Sequence, residues 1–355
     1  MNNTHITHIY YFSYYNLDSP STRYRAKNVL EHLYNRNKIS YSFVYPGYTI
    51  KAITNFIITY SSALFFRKKN SLIIFQKIYT NGIYASFLKL LLKLRKQNTI
   101  YDIDDAEYLR FTDKTIKYFI RNCSASFVGS HELINYSSAF NRKTYLLTSP
   151  ATTSTNIKKK KNAVLTVGWI GDYGTGKKIS AEYSHKTSLN RLFFPAIKEL
   201  KIPVKVILAG VHSISDREEI IDFFSSCNNI EVEIPLNINW MNEKSIHDLI
   251  KQFDIGVSPM VDHEFNRAKS AFKLKQYFSC GIPALASPVG ENSIFLKNGE
   301  NGFLCMTSND FKEKIVHIYS MDEKQYENLS SNAVNLTSSF DLDNYCNLLL
   351  KYTKS

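Results

Sequence analysis

Three groups of residues in this chain have the types and spacing to do chemistry. The first is Tyr101-Asp102-Ile103-Asp104-Asp105, which closes an apolar run. Three carboxylates this close repel one another unless something compensates, so a purely structural role is disfavoured. They read as a D-x-D metal site, as a solvated loop with Asp105 capping the next helix, or as carboxylates at a strand tip that meet a sugar hydroxyl. The last reading is preferred. The second group, Gly171-Asp172-Tyr173-Gly174-Thr175-Gly176-Lys177-Lys178, fits a phosphate-binding loop up to Lys177. Lys178 then stands where a Mg²⁺-binding hydroxyl belongs. A glycine-rich turn that brings backbone N–H groups near a diphosphate is preferred over an NTP-hydrolysing loop. A plain loop is the third reading. The third group is Arg267, Lys269, Lys273 and Gln276. Lys269 and Lys273 are four apart and so are expected on one helix face, with Arg267 just before them. Three cations at a helix N-terminus suit a diphosphate.

These residues need elements to hold them. Strands are expected at 4–12, 39–44, 72–75, 99–103, 125–129 and 144–147, and helices at 22–35, 50–66, 82–96, 113–122 and 131–140. Strands alternating with helices at this spacing imply a parallel sheet covered on both faces. Ser149–Lys161 (SPATTSTNIKKKK) interrupts the pattern and reads as a linker with solvating lysines. The alternation then restarts, with strands at 163–170, 204–209, 230–232, 254–258 and 284–286. Helices are expected at 188–200, 215–226, 245–251 and 270–280. The fold class is therefore α/β, with two doubly wound domains in series, residues 1–150 and 151–339. Such sheets bind ligands at the carboxyl ends of their strands, and two sheets facing one another would share a ligand site in the cleft between them.

A chain of 355 residues is comfortable for two domains. Five cysteines without a CxxC pair argue against a disulfide scaffold or zinc ribbon. The opening MNNTHITHIYYF reads as no signal peptide, and no run is long enough to span a bilayer. A cytoplasmic protein is expected. The net charge of +13 is unevenly placed. Residues 1–150 hold 20 Lys and Arg against 8 Asp and Glu, and residues 51–100 hold nine basic residues and no acid. An excess of that size points to an anionic partner. Ile53–Lys69 and Gly82–Lys96 pair apolar faces with basic ends, as interfacial helices do. Two core helices with solvated ends are the alternative. Nucleic acid is disfavoured, because no zinc-finger spacing, heptad or RNP-like motif is present.

The segment Asp254–Glu291, DIGVSPMVDHEFNRAKSAFKLKQYFSCGIPALASPVGE, together with Asn301-Gly302-Phe303-Leu304, resembles the C-terminal domain of bacterial GT-B glycosyltransferases. The likeness is to family-4-like enzymes that build surface polysaccharides. Val167-Gly-Trp-Ile-Gly171 and Val206-Ile-Leu-Ala-Gly210 look like that domain's first strands, and Ser19-Pro-Ser-Thr-Arg23-Tyr-Arg25, Tyr101–Asp105 and Ser126–Ser130 look like motifs of a subgroup's first domain. The resemblance covers nearly the whole chain. It departs at the family's E-x7-E pair, which falls on Ala268 and Gln276, and after Gly168, where Trp169 replaces an Arg. Asp104 stands where many members have a His.

The resemblance implies two Rossmann-like domains facing across a cleft, with residues 340–355 crossing back onto the first. It implies sugar transfer, with retention, from a nucleotide diphosphate sugar to a lipid-linked or surface glycan of lipopolysaccharide, O-antigen or capsule type, and no required metal or cofactor. The donor would meet Gly171, Asp172, Lys177, Arg267, Lys269, Lys273, Gln276 and Gly290. Asp104, Asp105 and Glu264, the last in place of the missing Glu, would act at the reacting centre. Ser19, Arg23 and Arg25 would hold acceptor phosphates. Peripheral attachment to the inner face of the cytoplasmic membrane follows from the charge pattern. The alternatives are an epimerase or a phospho-group transferase on this fold, or a silent binding subunit of a polysaccharide-assembly complex.

Overall fold

Runs such as Ile9-Tyr-Tyr-Phe12 and Leu72-Ile-Ile-Phe75 are apolar at every position, which suits strands covered on both faces. In the computed structural model, which describes residues 6–174 and 181–353, they form adjacent inner strands of a parallel sheet. Its strands are β1 (His8–Ser13), β2 (Ser40–Val44), β3 (Ser71–Gln76), β4 (Thr99–Ile103), β5 (Ala125–Val128) and β6 (Thr144–Leu146), in the order β2-β1-β3-β4-β5-β6. A second parallel sheet holds β7 (Leu165–Ile170), β8 (Val204–Ala209), β9 (Ile230–Glu233), β10 (Ile255–Ser258), β11 (Ala284–Ala286) and β12 (Gly302–Leu304), in the order β12-β11-β10-β7-β8-β9. Both sheets reverse direction of winding next to their first strand, between β1 and β3 and between β7 and β10. Those are the switch points at which such sheets take ligands.

The chain divides into two units: residues 1–150, 268–270 and 340–355 in one, and 151–267 and 271–339 in the other. In the first, Val29, Leu30 and Leu33 of the helix Asn28–Asn37 share a core with Tyr345, Cys346 and Leu349 of the helix Leu342–Tyr352. In the second, Val167 and Trp169 of β7 pack with Phe193, Phe311 and Tyr326.

Three expectations change. The helix expected from residue 270 starts at Phe272, because Ala271 takes a left-handed φ of 53°. Lys269 therefore does not share a helix face with Lys273. The run Lys158–Lys161 is not simply solvating. Lys158 Nζ pairs with the buried Asp254 at 2.9 Å, and Lys161 Nζ donates to the carbonyls of Ile318, Tyr319 and Met321 at the end of the helix Ser308–Ser320. That helix and its successor Glu323–Asn335 escaped the sequence reading, although each opens with a capping box, Thr307/Asp310 and Asp322/Gln325.

Candidate active site

In the second unit the site forms where β7 and β10 part. Their pairing ends at Gly168↔Gly256, and the Tyr277 hydroxyl fills the gap beyond. It accepts from Ile170 N at 3.3 Å and donates to Val257 O at 3.0 Å. Gly171 follows β7 directly, and a Cβ there would lie 2.8 Å from Lys273 Cε. The glycine makes room for the lysine stem. The Lys273 ammonium reaches 3.0 Å from His185 Nε2 and 6.0 Å from the centre of the Trp169 ring. Trp169 is fully buried and meets His185 edge-on. A cation is thus held beside the backbone of Gly171, between an aromatic wall and an imidazole. His185, first residue of the short helix His185–Ser188, was missed by the sequence reading, which saw no helix opening in this stretch.

The other expected donor residues are placed differently. Arg267 binds Asp262 through two contacts, Nε–Oδ1 at 2.6 Å and Nη2–Oδ2 at 2.9 Å, in an exposed pair that holds the Asp262 carboxyl below its ordinary range. Asp172 is exposed and accepts from Gly174 N at 3.0 Å, an Asx turn that shapes the loop. Gly290 has φ 55°, and a Cβ there would lie 2.3 Å from Arg267 O. Its backbone role is to let that carbonyl approach. Gln276 is half-buried on the helix Phe272–Ser279 with Lys273. Glu264 is exposed at the start of the helix Glu264–Arg267, and Ala268 is fully buried. Lys177 lies outside the described residues.

In the first unit the three carboxylates of Tyr101–Asp105 are divided between two cations, which answers their expected repulsion. Asp102 takes both sides of the Arg25 guanidinium, with Nε–Oδ2 at 3.1 Å, in a pair sealed from water. Gln76 Nε2 also donates to it, at 3.3 Å, and Arg25 Nη1 donates onward to Leu147 O at 2.5 Å. Asp104 and Asp105 turn instead to Lys77, the residue after β3, with Nζ at 3.1 and 2.6 Å. Glu107 adds a third carboxylate at 3.5 Å. Burial opposes charge on Lys77, but the three carboxylates outweigh it and hold the ammonium charged. Burial would likewise raise Asp105, yet Lys77 and then Lys269, at 4.0 Å, hold it well below the carboxylate range. Glu107 moves the other way, raised first by burial. An ammonium thus occupies the centre that a D-x-D reading would give to a metal. Among the described residues no group of three or more His, Cys, Asp and Glu is arranged to hold a metal ion.

The acceptor arginines are corrected. Arg25 is fully buried in its pair with Asp102, and Arg23, 8% exposed, donates to the carbonyls of Leu17 and Asp18 at 2.8 Å each. Both tie the chain to itself rather than presenting a guanidinium to phosphate. Ser19 is half-buried just before the helix turn Pro20–Thr22, where its side chain makes no cap.

Residues 184–321, a stretch that includes His185 and Lys273, match the family model described as "Glycosyl transferases group 1". A curated relative, the "GDP-Man:Man(3)GlcNAc(2)-PP-Dol alpha-1,2-mannosyltransferase" of Dictyostelium discoideum, is 24% identical over 215 residues, covering 56% of this chain. The chain spans 40% of that relative's length. The fold is similar to that of HepE from Anabaena in complex with UDP and glucose, with a TM-score of 0.65 at 13% identity over 99% of this chain and 100% of the other. The lipopolysaccharide outer core galactosyltransferase WaaB, in its apo form, superposes with a TM-score of 0.65 at 12% identity over 98% and 100% of the two chains. The GT-B fold implied by the sequence is thereby borne out.

Proposed function

We propose that this chain, a glycosyltransferase on the GT-B fold, moves a sugar with retention from a nucleotide diphosphate donor to a lipid-linked or surface glycan at an anionic membrane surface. One observation carries the reading: the Lys273 ammonium, from within the segment matched by the group 1 family, is held beside Gly171 at the carboxyl end of β7. Glycosyl transfer builds negative charge on the departing diphosphate, and a cation fixed in advance stabilises it without reorganisation. UDP in the HepE complex and the dolichol-linked acceptor in the mannosyltransferase's name support the donor class and the lipid-linked acceptor respectively. The lysine-centred carboxylates Asp104 and Asp105 supply acceptors for sugar hydroxyls in the first unit.

Purified protein incubated with UDP-glucose, UDP-galactose, UDP-N-acetylglucosamine and GDP-mannose should release nucleotide diphosphate from one of them. Failure to bind either UDP or GDP would overturn the reading. A second reading, a silent nucleotide-sugar-binding subunit, is favoured by the buried Ala268 in the family's Glu position. It requires binding without nucleotide release, even with membrane extract supplied as acceptor.

A further inference from the structure

Half of the large apolar side chains exposed on the described residues, eleven of 22, fall between Tyr48 and Leu94. The helix Ile50–Phe65 has sixteen residues, yet buries only Thr59, Ala63 and Leu64. Ile50, Ile53, Ile57 and Phe65 stand in solvent, and from the helix Ile83–Leu94 so do Phe87 and Leu90. The two helices touch. Tyr60 donates to Phe87 O at 3.1 Å, and Phe56 packs against the rings of both Tyr60 and Phe87. The result is a continuous apolar face on the first unit rather than scattered exposed residues, and faces of that kind are docking surfaces.

Charge identifies what docks there. Lys51, Lys68, Lys69, Lys93 and Lys96 are exposed on these helices and just past their ends, and no acid occurs from residue 51 to 100. Both helices follow parallel strands, so their C-terminal ends, with Lys68, Lys69, Lys93 and Lys96, lie at the same edge of the sheet, while Lys51 is in the first turn of its helix. A second copy of this chain would set lysine against lysine. Nucleic acid would leave the isoleucines and phenylalanines without a use. Anionic lipid satisfies both features, with headgroups on the lysines and acyl chains under the apolar side chains. No described helix is long and apolar enough to cross a membrane, so the contact is interfacial.

We propose that the paired helices Ile50–Phe65 and Ile83–Leu94 form a face that lies on an anionic bilayer, inserting Ile50, Ile53, Ile57, Phe65, Phe87 and Leu90. This deepens the membrane clause of the proposed function and rests on it only in choosing lipid as the partner. Two neighbouring basic side chains are excluded from the face. Arg67 Nη2 donates to Ser71 O at 2.9 Å, and Arg95 Nε donates to Leu64 O at 2.7 Å. They fasten the helix ends to the fold, so a test variant must spare them.

Cosedimentation of the full chain with phosphatidylcholine vesicles, with and without about 30% phosphatidylglycerol, tests the proposal. Binding should be about tenfold stronger to the anionic vesicles and should fall as salt rises. I53S/I57S and K69S/K93S, which spare the Lys68 contact to His8 at 3.2 Å, should each reduce it severalfold, with melting temperature and UDP affinity unchanged. Equal binding to both vesicles, no binding, or concentration-dependent dimerisation abolished by I53S/I57S would overturn it. UDP binding is followed in the same samples. Loss of vesicle binding with UDP retained removes this surface alone, whereas absence of UDP and GDP binding removes the transferase reading.

Discussion

Lys273 Nζ and His185 Nε2 lie 3.0 Å apart although 88 positions separate them in the chain. An ammonium has no lone pair, so the lysine donates and the imidazole nitrogen accepts. The histidine thereby aims the charge. Lys273→Ala should weaken UDP binding by roughly 1.5–3 kcal/mol, the range for a charge-assisted contact, and leave uridine binding nearly unchanged. His185→Ala should cost less, with partial recovery in His185→Gln. Lys269→Ala, whose ammonium lies by Asp105, should cost less than Lys273→Ala. Calorimetry with UDP and uridine checks all four, and equal losses for the two ligands would remove the diphosphate assignment.

Transfer activity should survive EDTA, because Lys77 already supplies a cation to Asp104 and Asp105. Asp104→Asn should lower kcat more than donor affinity. Activity that disappears with EDTA and returns only with Mn²⁺ or Mg²⁺ would reverse this reading.

Arg25→Met should destabilise the fold strongly, since it leaves Asp102 charged and sealed from water. Removing one partner of a buried pair costs about 3–5 kcal/mol. Replacing both, as Arg25→Met with Asp102→Leu, should recover part of that loss in urea unfolding. A single variant as stable as wild type would show that the pair is not what holds β4 to the helical turn Arg23–Lys27.

Stability should also depend on pH through His8. Burial first, and Lys68 second, lower its pKa from 6.5 to about 4. The folded state therefore favours the neutral ring, and this contribution is complete above pH 6.5 and lost as the pH falls towards 4. At about 1.4 kcal/mol per pKa unit, the loss is at most about 3.5 kcal/mol. Thermal unfolding of His8→Asn should show a shallower slope across that interval, and an unchanged slope would assign the dependence elsewhere.

The alternation of strands and helices was legible because both sheets are parallel and their strands are apolar throughout, as in Leu72–Phe75. The place of Lys273, beside the carboxyl end of β7, was legible because it is a lysine on a helix after a strand and loop. The partners were not. Arg25 meets Asp102 across 77 positions, and no local spacing distinguishes a buried arginine from one awaiting phosphate. Ala271 interrupts the helix pattern without a Gly or Pro to announce it, so Lys269 was placed on the wrong face. The strand β12 is three residues long and gives no period to read.

The helix Leu342–Tyr352 completes the core of the unit that begins with β1. That unit is closed by residues made after the whole of the second unit, which bears on how the protein is built by the ribosome. Residues 151–339 hold nearly everything the second unit needs and can fold as they emerge. The first unit, though begun earlier, lacks Tyr345, Cys346 and Leu349 until the second unit has been made. The usual order, in which the N-terminal domain folds first, is inverted at its final step. Until then the apolar surface of Val29, Leu30 and Leu33 stays open, and a nascent chain stalled before residue 340 offers it to chaperones.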